Sequence, residues 1–363
     1  MKWRDMQKWQ KKRLSIAFLT VLLACTAYIS MAVISMMDEH SSIESAYDIT
    51  FKNAEESLNL KKTLGKDAVY VSSGTYVESI KEISLKNCNF RVSFIVWFKW
   101  TGSSNLDFTD NGFRIYNGVI NKSEVLTNSS ENGVHYQEFR VDATVSKSFN
   151  ISCFPLGSQV LKFYIEPNQY TVDEVIFEPD SDNSGVNRNL SISGYDLVRH
   201  GIAEHVITYP NTMNHPGYER PRTTSEIVTV LEVSRSDLGL YIKCFIALIG
   251  TTVWILITLY VCANHAVNPL GTVPAALFGT IGNFMVGANL LPDVVEVGLV
   301  EFVNIYGTLI IFIGIISIIC VNRIRETGGG KGYAKTFGRV MFYTILILCL
   351  AGQIAMPLAA YRW

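Results

Sequence analysis

Five long apolar stretches constrain this chain more than any other feature of its sequence. They cover residues 14–37, 240–263, 272–291, 299–321 and 340–360. A helix of about 20 apolar residues crosses the roughly 30 Å hydrocarbon core of a bilayer, and every stretch is long enough. Only 17% of the residues are charged, whereas soluble domains average about a quarter. The sequence therefore predicts a multi-pass membrane protein with five spans and the lipid bilayer as a partner.

The third stretch is unlike the other four because flexible and polar residues interrupt it. These are Pro274, Gly279, Gly282, Asn283 and Gly287. Such residues are typical of spans that face protein or water rather than lipid. We therefore expect residues 272–291 to occupy an interior position in the membrane.

Two clusters of basic residues predict the orientation. They are Lys2, Arg4, Lys8, Lys11, Lys12 and Arg13 before the first stretch, and Arg323, Arg325, Lys331, Lys335 and Arg339 between the fourth and fifth. Lys and Arg in short flanks favour the cytoplasmic side. The predicted topology in a bacterial inner (cytoplasmic) membrane has a cytoplasmic N-terminus over residues 1–13 and a basic cytoplasmic loop over 322–339. Residues 38–239 and the C-terminus lie outside, and anionic lipid headgroups are the expected partner of the basic loop.

The first stretch has two readings, because basic residues followed by an apolar run also describe a secretory signal. Residues 14–37 exceed the usual signal core of about 7–15 residues, and no small-x-small cleavage site follows Met37. A retained transmembrane anchor is favoured. Cys25 follows a Leu-Leu-Ala sequence that resembles a lipoprotein cleavage box, but the long apolar remainder favours a packed or lipid-facing cysteine.

Residues 38–239 have the pattern of an acidic β-sandwich. They carry 18 Lys and Arg against 27 Asp and Glu, a net charge of −9 within a chain whose total is −1. Alternation with a period of two, typical of half-buried strands, appears at Val92, Phe94, Val96, Phe98 and Trp100 and at Leu161, Phe163 and Ile165. Turn clusters rich in Gly, Asn and Ser separate such runs. Residues 43–64 are the one candidate for an amphipathic helix in this domain.

The composition and motifs argue against catalysis and against nucleic-acid binding. A net charge of −1 lacks the basic surface that phosphates require. The six histidines form no cluster with metal-ligand or triad spacing, so we expect no enzyme, no metal and no cofactor. The Gly-rich run at 328–332 lacks the spacing of a phosphate loop and indicates a flexible basic linker.

Cys88 and Cys153 are the two of seven cysteines that fall outside the apolar stretches. A disulfide between them is a candidate in an oxidising compartment. Two separate thiols are the alternative.

The order of the parts and four motifs resemble the pentameric ligand-gated ion channel superfamily, especially its bacterial members. Residues 154–161, Phe-Pro-Leu-Gly-Ser-Gln-Val-Leu, are similar to the family's Phe-Pro-Phe-Asp-x-Gln-x-Leu loop. Residues 177–195 end in Gly-Tyr as the family's corresponding stretch does, residues 228–235 resemble the last strand before the first channel helix, and residues 289–292 resemble the Leu-Pro exit of the second. The resemblance covers roughly residues 88–322.

This resemblance implies a β-sandwich external domain, a C-terminal four-helix bundle and assembly as a homo-oligomer, a pentamer, with a small external ligand. The chain also departs from the family. Gly157 replaces the family's Asp, and Pro167 stands where the second cysteine of the animal loop would fall. An additional N-terminal span is present, the first channel helix lacks its proline, and residues 272–291 carry no charge.

Aligning the second channel helix on Pro292 predicts a pore-lining stripe with helical spacing. Its members are Gly271, Ala275, Phe278, Gly282, Met285 and Asn289. A ring of Phe278 side chains would form a hydrophobic gate that closes by dewetting. The alternative is that these residues pack helix against helix, because small residues favour close helix contacts in membranes.

The resemblance also implies a coupling site and a ligand site. The proline loop, with Phe154, Pro155 and Gln159, would meet the loop from Pro292 to Gly298 and pass a rigid-body movement to the membrane domain. Aromatic residues between neighbouring sandwiches would bind the ligand. The candidates for that role are Tyr170, Tyr209 and Tyr218, whose ring faces could hold a cation.

Two functions of different classes follow. The first is a ligand-gated ion channel in which the external sandwich controls the four-helix membrane domain. The second is a non-conducting envelope sensor or scaffold that uses the same fold. The uncharged third stretch and the additional anchor favour the second, and the continuous order of matching segments favours the first.

Overall fold

A computed structural model of the chain describes residues 6–64, 67–102, 105–209, 222–235, 238–265, 267–269, 271, 273–292, 297–327 and 330–362. The chain divides into two compact units. One is helical and comprises residues 1–41, 151–157 and 237–363. The other contains the sheets and comprises residues 42–150 and 158–236.

Five helices are long and apolar enough to cross a membrane among the described residues. They are α1 (Lys8–Leu64), α2 (Leu238–His265), α3 (Val273–Leu290), α4 (Leu299–Glu326) and α5 (Lys331–Arg362). In α1 the apolar part is Lys8–Asp38. All five stretches that the hydropathy pattern predicted as spans are therefore helical.

Ten strands form two sheets in the part of the chain that the structure describes. They are β1 (Val69–Ser84), β2 (Asn89–Thr101), β3 (Phe113–Ile115), β4 (Gly118–Glu131), β5 (Val134–Ser146), β6 (Gly157–Pro167), β7 (Val175–Pro179), β8 (Gly185–Val186), β9 (Asp196–Thr208) and β10 (Thr223–Arg235). The first sheet has the order β4-β5-β2-β1-β7, with β8 also paired to β1, and the second has the order β3-β6-β10-β9. β7 and β8 pair with β1 in parallel.

Aromatic side chains from the two sheets meet in one core. The alternating residues Val92, Phe94, Val96, Phe98 and Trp100 are all buried, as the period of two predicted. Phe94 of β2 packs against Phe163 of β6 with ring centroids 4.6 Å apart, and Phe98 packs against Phe113 of β3. Large buried rings contribute most of the apolar area that stabilises such a core.

The first helix extends beyond the predicted anchor. Residues 14–37 were expected to be the span and residue 38 the start of the strand domain, but α1 continues without a break to Leu64 and the first strand begins at Val69. The amphipathic helix predicted over residues 43–64 is therefore the outer part of α1. Its apolar face explains the helix, because Tyr47 and Phe51 pack on Val160, Val228 and Val230 of β6 and β10.

The apolar part of α1 packs against other helices of the helical unit. Tyr28 stacks on Tyr306 of α4 at 5.8 Å and donates a hydrogen bond to the Phe302 carbonyl at 3.1 Å. On α5, Tyr333 donates to the Gln10 carbonyl at 3.2 Å. Aromatic packing and a satisfied backbone carbonyl are features of a helix that is integrated into its bundle.

The basic loop predicted over residues 322–339 is mostly helical. α4 continues to Glu326 and α5 begins at Lys331. The prediction of a flexible linker over residues 328–332 is therefore wrong for Lys331 and Gly332, which are helical. Buried Tyr333, Ala334, Phe337 and Met341 recur at helical spacing and account for the longer helix. The side chain of Arg325 donates to the Cys262 carbonyl near the end of α2, where a cation is favourable because carbonyls there lack helical partners.

Asp142 on β5 sits between two basic side chains of neighbouring strands. Arg91 Nε donates to Asp142 Oδ1 at 2.7 Å, and the Lys81 ammonium donates to Oδ2. Partial burial raises the pKa of Asp142, but the hydrogen bonds from Arg91 and Lys81 outweigh that effect and lower the pKa to about 2. The carboxylate is thus held in its charged form.

We expect Asp142→Asn to lower the free energy of unfolding by about 1 kcal/mol at pH 7. The pKa of Asp142 lies below the roughly 3.9 of an unfolded Asp, so the ion pairs stabilise the fold above about pH 4 and lose that effect between about pH 4 and pH 2. Arg91 and Lys81 are 48% and 45% exposed, and solvent screening keeps the effect small. Denaturant unfolding followed by circular dichroism at pH 7 and pH 3 measures it. Glu131→Gln, at the exposed end of β4, is the control, and an equal loss in both variants would contradict the assignment.

Candidate functional site

The third membrane helix has one buried face and one exposed face in the protomer. Ala276, Thr280 and Asn283 are buried at 1%, 4% and 1% exposure. The residues predicted to line a pore, Ala275, Phe278, Gly282, Met285 and Asn289, are all exposed. Phe278 is 74% exposed and Met285 is 65% exposed. The residues of the predicted stripe therefore lie on one side of α3. The described part of the same chain does not cover that side.

A pair of buried amides fixes which face of α3 is turned toward its own protomer. Asn283 Nδ2 donates to Asn304 Oδ1 of α4 at 2.6 Å, and Asn283 Oδ1 accepts from the Leu248 backbone N–H of α2 at 3.4 Å. Hydrogen bonds between membrane helices are worth about 0.6–2 kcal/mol. The pair thereby sets the rotation of α3 about its own axis.

The exposed side of α3 carries both large apolar and small or polar residues. α3 is the least apolar of the five candidate spans, and Ala275, Gly282 and Asn289 lie on its exposed side beside Phe278 and Met285. The exposed side of α5 is also rich in large apolar side chains, namely Tyr343, Ile347, Leu350, Ile354 and Leu358. What distinguishes α3 is the exposed amide of Asn289, because polar positions in a membrane helix commonly face protein or water.

The proline segment, defined as residues 151–157, belongs to the helical unit. Its turn is held by hydrogen bonds from the Phe154 N–H to the Ile151 carbonyl and from the Leu156 N–H to the Cys153 carbonyl, both 2.9 Å. The Phe154–Pro155 peptide bond is cis. Both residues are buried.

The proline segment contacts the beginning of α4. The Ser152 carbonyl accepts a hydrogen bond from the Leu299 N–H at 2.7 Å. The first N–H groups of a helix lack partners within it, so Ser152 satisfies one of them, and Glu301 accepts from the Gly298 N–H at 2.9 Å. Ser152 also lies beside Gly298, where an added Cβ would be 2.9 Å from Ser152 Cα. Residues 293–296 lie outside the described residues, and coupling between the two loops stays a prediction. Pro292 is partly buried, and Gln159 on β6 instead donates to the Asn150 carbonyl.

Gly157, at the position where the resembling channel motif has Asp, has a backbone conformation that favours glycine. Its φ is +84°, a region that L side chains rarely adopt. A Cβ at this position would also lie 2.8 Å from Cys153 Cβ. Glycine is therefore required by the geometry of this turn.

Two of the three tyrosines predicted to bind a ligand, Tyr170 and Tyr209, have hydroxyl groups with different partners. Tyr209 is buried and donates to the Glu166 carboxylate at 2.9 Å, and Arg114 Nη2 donates to its hydroxyl oxygen at 3.3 Å. Burial, followed by the Glu166 charge, raises the pKa of Tyr209. The Tyr170 hydroxyl accepts from the Asp107 N–H at 3.4 Å. Tyr218 lies outside the described residues, so the grouping of the three stays a prediction.

Sequence reasoning missed the charged cluster around Tyr209. Glu166 and Glu226 are buried on neighbouring strands β6 and β10, and His205 Nδ1 lies 2.5 Å from Glu226 Oε1. Burial raises the pKa of Glu226, while the hydrogen bond to His205 acts in the opposite direction. The sequence did contain a signal for this cluster, because both glutamates lie within apolar strand runs. A carboxylate buried in such a strand needs a partner.

Cys88 and Cys153 are thiols in the structure rather than a disulfide. The sequence left a disulfide and two separate thiols open, and the structure has the thiols. Cys88 sits in a turn with φ +51° and directs its sulfur toward the Leu85 carbonyl at 3.6 Å. This local contact orients the thiol within its own turn.

Within the described ranges, no group of three or more His, Cys, Asp or Glu side chains is arranged to hold a metal ion. Comparison of the chain with protein-family models and with curated proteins found no match. The resemblance of the four motifs to ligand-gated channels therefore stays a prediction from sequence.

Proposed function

We propose that this chain assembles as a homo-pentameric ring in a bacterial inner membrane and forms a ligand-gated ion channel. Each protomer would contribute an external β-sandwich and a four-helix membrane domain of α2–α5, with α1 as an additional anchor. The α3 helices would surround the ion path. A small external ligand would act on the sandwich.

The observation that carries this proposal is the open face of α3. The helix presents Ala275, Gly282 and Asn289 away from its own protomer, and the amide pair of Asn283 and Asn304 holds it in that rotation. A ring would place neighbouring α3 helices and a water-filled path beside this face. A lone protomer would leave the amide of Asn289 facing lipid, which is unfavourable.

A second observation supports coupling. The proline segment supplies the hydrogen-bond acceptor for the first turn of α4. A displacement of Ser152 would therefore act directly on the start of a membrane helix.

Native mass spectrometry of the full-length protein in mild detergent tests the ring. We expect a mass of five copies of the 40.6 kDa chain. Gly282→Trp should abolish that species, because the position is open in the protomer and a bulky side chain would block close approach of neighbouring α3 helices. Ile347→Trp on α5 is the control and should leave the mass unchanged. A monomer of the parent chain, or a pentamer unaffected by Gly282→Trp, would contradict the proposal.

The second candidate function is a non-conducting envelope sensor or scaffold of the same fold. It is favoured by the absence of any charged residue over 272–291 and by the bulk of Phe278 on the open face. A pentamer without measurable currents, in the parent and in the Phe278 variant described below, would support it.

A further inference from the structure

A cavity of about 410 Å³ lies inside the unit that contains the sheets. It is lined by Tyr47, Phe51, Thr75, Ser181, Ser184, Gly185, Val186, His200, Gly201, Ile202 and Thr229. Sites for small molecules commonly occupy about 300–1,000 Å³ and combine an apolar wall with a few polar groups. The cavity has the required size, and its lining combines four apolar or aromatic side chains with five polar ones. None of its residues is one of the tyrosines predicted to bind the ligand.

The wall of the cavity is aromatic and held in place. Tyr47 and Phe51 come from the outer part of α1, and their rings are 5.2 Å apart. The guanidinium of Arg199, which does not line the cavity, lies 3.9 Å from the Tyr47 ring centroid and forms ion pairs with Glu232 and Asp48. A ring fixed in this way loses little freedom when a ligand packs on it.

The floor of the cavity offers a hydrogen-bond donor. Thr75 Oγ1 and Thr229 Oγ1 are 2.7 Å apart and both residues are buried. The two hydroxyls carry two protons, and their mutual bond uses one. Since neither hydroxyl has another bond in the described part of the chain, the second proton is available to an acceptor in the cavity.

The lining contains no Asp, Glu, Lys or Arg. Apart from the imidazole of His200, the lining offers no side chain that could carry a counter-charge, and a charged ligand that loses hydration without one is unfavourable. The charge of the nearby Arg199 is already balanced by its two carboxylates. A neutral ligand is therefore favoured, with a flat apolar body for the aromatic wall and an acceptor for the threonine floor.

We infer that this cavity binds a small neutral molecule that combines an aromatic ring with a carbonyl-type acceptor. The ring packs on Tyr47 and Phe51, and the carbonyl oxygen accepts from the Thr75–Thr229 pair. The cavity lies within one protomer, so its occupancy does not require a ring of subunits.

Ligand-observed saturation-transfer NMR on the full-length protein in lipid nanodiscs tests this site, with empty nanodiscs as the blank. Benzamide is the probe and is compared with three analogues. Benzoate carries a negative charge, benzylamine carries a positive charge and has no carbonyl acceptor, and ethylbenzene is neutral and has no acceptor. We expect benzamide to bind at least tenfold more tightly than each of the other three. The absence of benzamide binding, or equal binding of a charged analogue, would overturn the site as stated.

A substitution at the rim separates this cavity from other places where benzamide could bind. Ser181 is exposed and lines the opening, so Ser181→Trp should fill the entrance and reduce benzamide affinity at least tenfold without unfolding the sheets. Asp182→Trp, also exposed but not part of the lining, is the matched control and should bind as the parent does. Equal binding by Ser181→Trp and the parent would exclude this cavity as the site.

Discussion

Replacing Phe278 by Ser is expected to raise the ion current of the protein in planar bilayers at least tenfold. Phe278 is the largest side chain of the predicted pore stripe and is 74% exposed in the protomer. In a ring, five such rings narrow the path to a hydrophobic constriction from which water withdraws. Serine removes both the bulk and the apolar surface, so the path should stay hydrated and conduct without a ligand.

Phe284 provides the matched control for this experiment. It lies on the same helix and is also exposed, but it is not part of the stripe of Ala275, Phe278, Gly282, Met285 and Asn289. Phe284→Ser should leave the current near that of the parent. Equal currents in the two variants, with the pentamer verified by native mass spectrometry, would argue that the stripe does not line an ion path.

Replacing Gly298 by Ala is expected to destabilise the helical unit by about 1–3 kcal/mol. A Cβ at Gly298 would lie 2.9 Å from Ser152 Cα, 2.9 Å from the Ser152 carbonyl oxygen and 3.0 Å from the Ile151 carbonyl oxygen. These are backbone atoms, which cannot move aside as the end of a flexible side chain can. The proline segment would have to shift and weaken the Leu299–Ser152 hydrogen bond.

Thermal unfolding of the full chain in detergent measures this effect. Gly250→Ala on α2 is the control, because nothing lies within 4 Å of a Cβ at Gly250, and alanine is the better helix former. We expect Gly298→Ala to lower Tm and Gly250→Ala to leave it unchanged or raise it. A parent-like Tm for Gly298→Ala would show that the proline segment does not pack tightly against the start of α4.

The elements that sequence reasoning predicted best are those with a strong physical periodicity. The five spans follow from length and hydropathy, because few other structures bury some 20 consecutive apolar residues. The strand around Phe94 and Phe98 follows from alternation, since successive side chains point to opposite faces. In each case the pattern lies within one element and needs no knowledge of its neighbours.

The features that sequence reasoning missed depend on contacts between distant segments. The continuation of α1 to Leu64 depends on Tyr47 and Phe51 finding a surface on β6 and β10. The burial of Tyr209 against Glu166 and Arg114 joins three segments that are far apart in sequence. Glycine is required at position 157 because the turn there has a positive φ. The sequence alone does not show that backbone angle.

The amide pair between α3 and α4 also bears on how the membrane domain could change state. Rotation of α3 about its axis would separate Asn283 from Asn304, and each amide would then face apolar surroundings until it found a new partner. Breaking the hydrogen bond would cost about 0.6–2 kcal/mol, so the barrier to rotation of α3 in one protomer would be small. In a ring of five copies these increments would add if the helices turned together, so the energy needed to leave the observed rotation would grow with the number of helices that turn. The hydrogen bond between Asn283 and Asn304 would then hold the assembly in its observed rotation, and the response of the assembly would be abrupt.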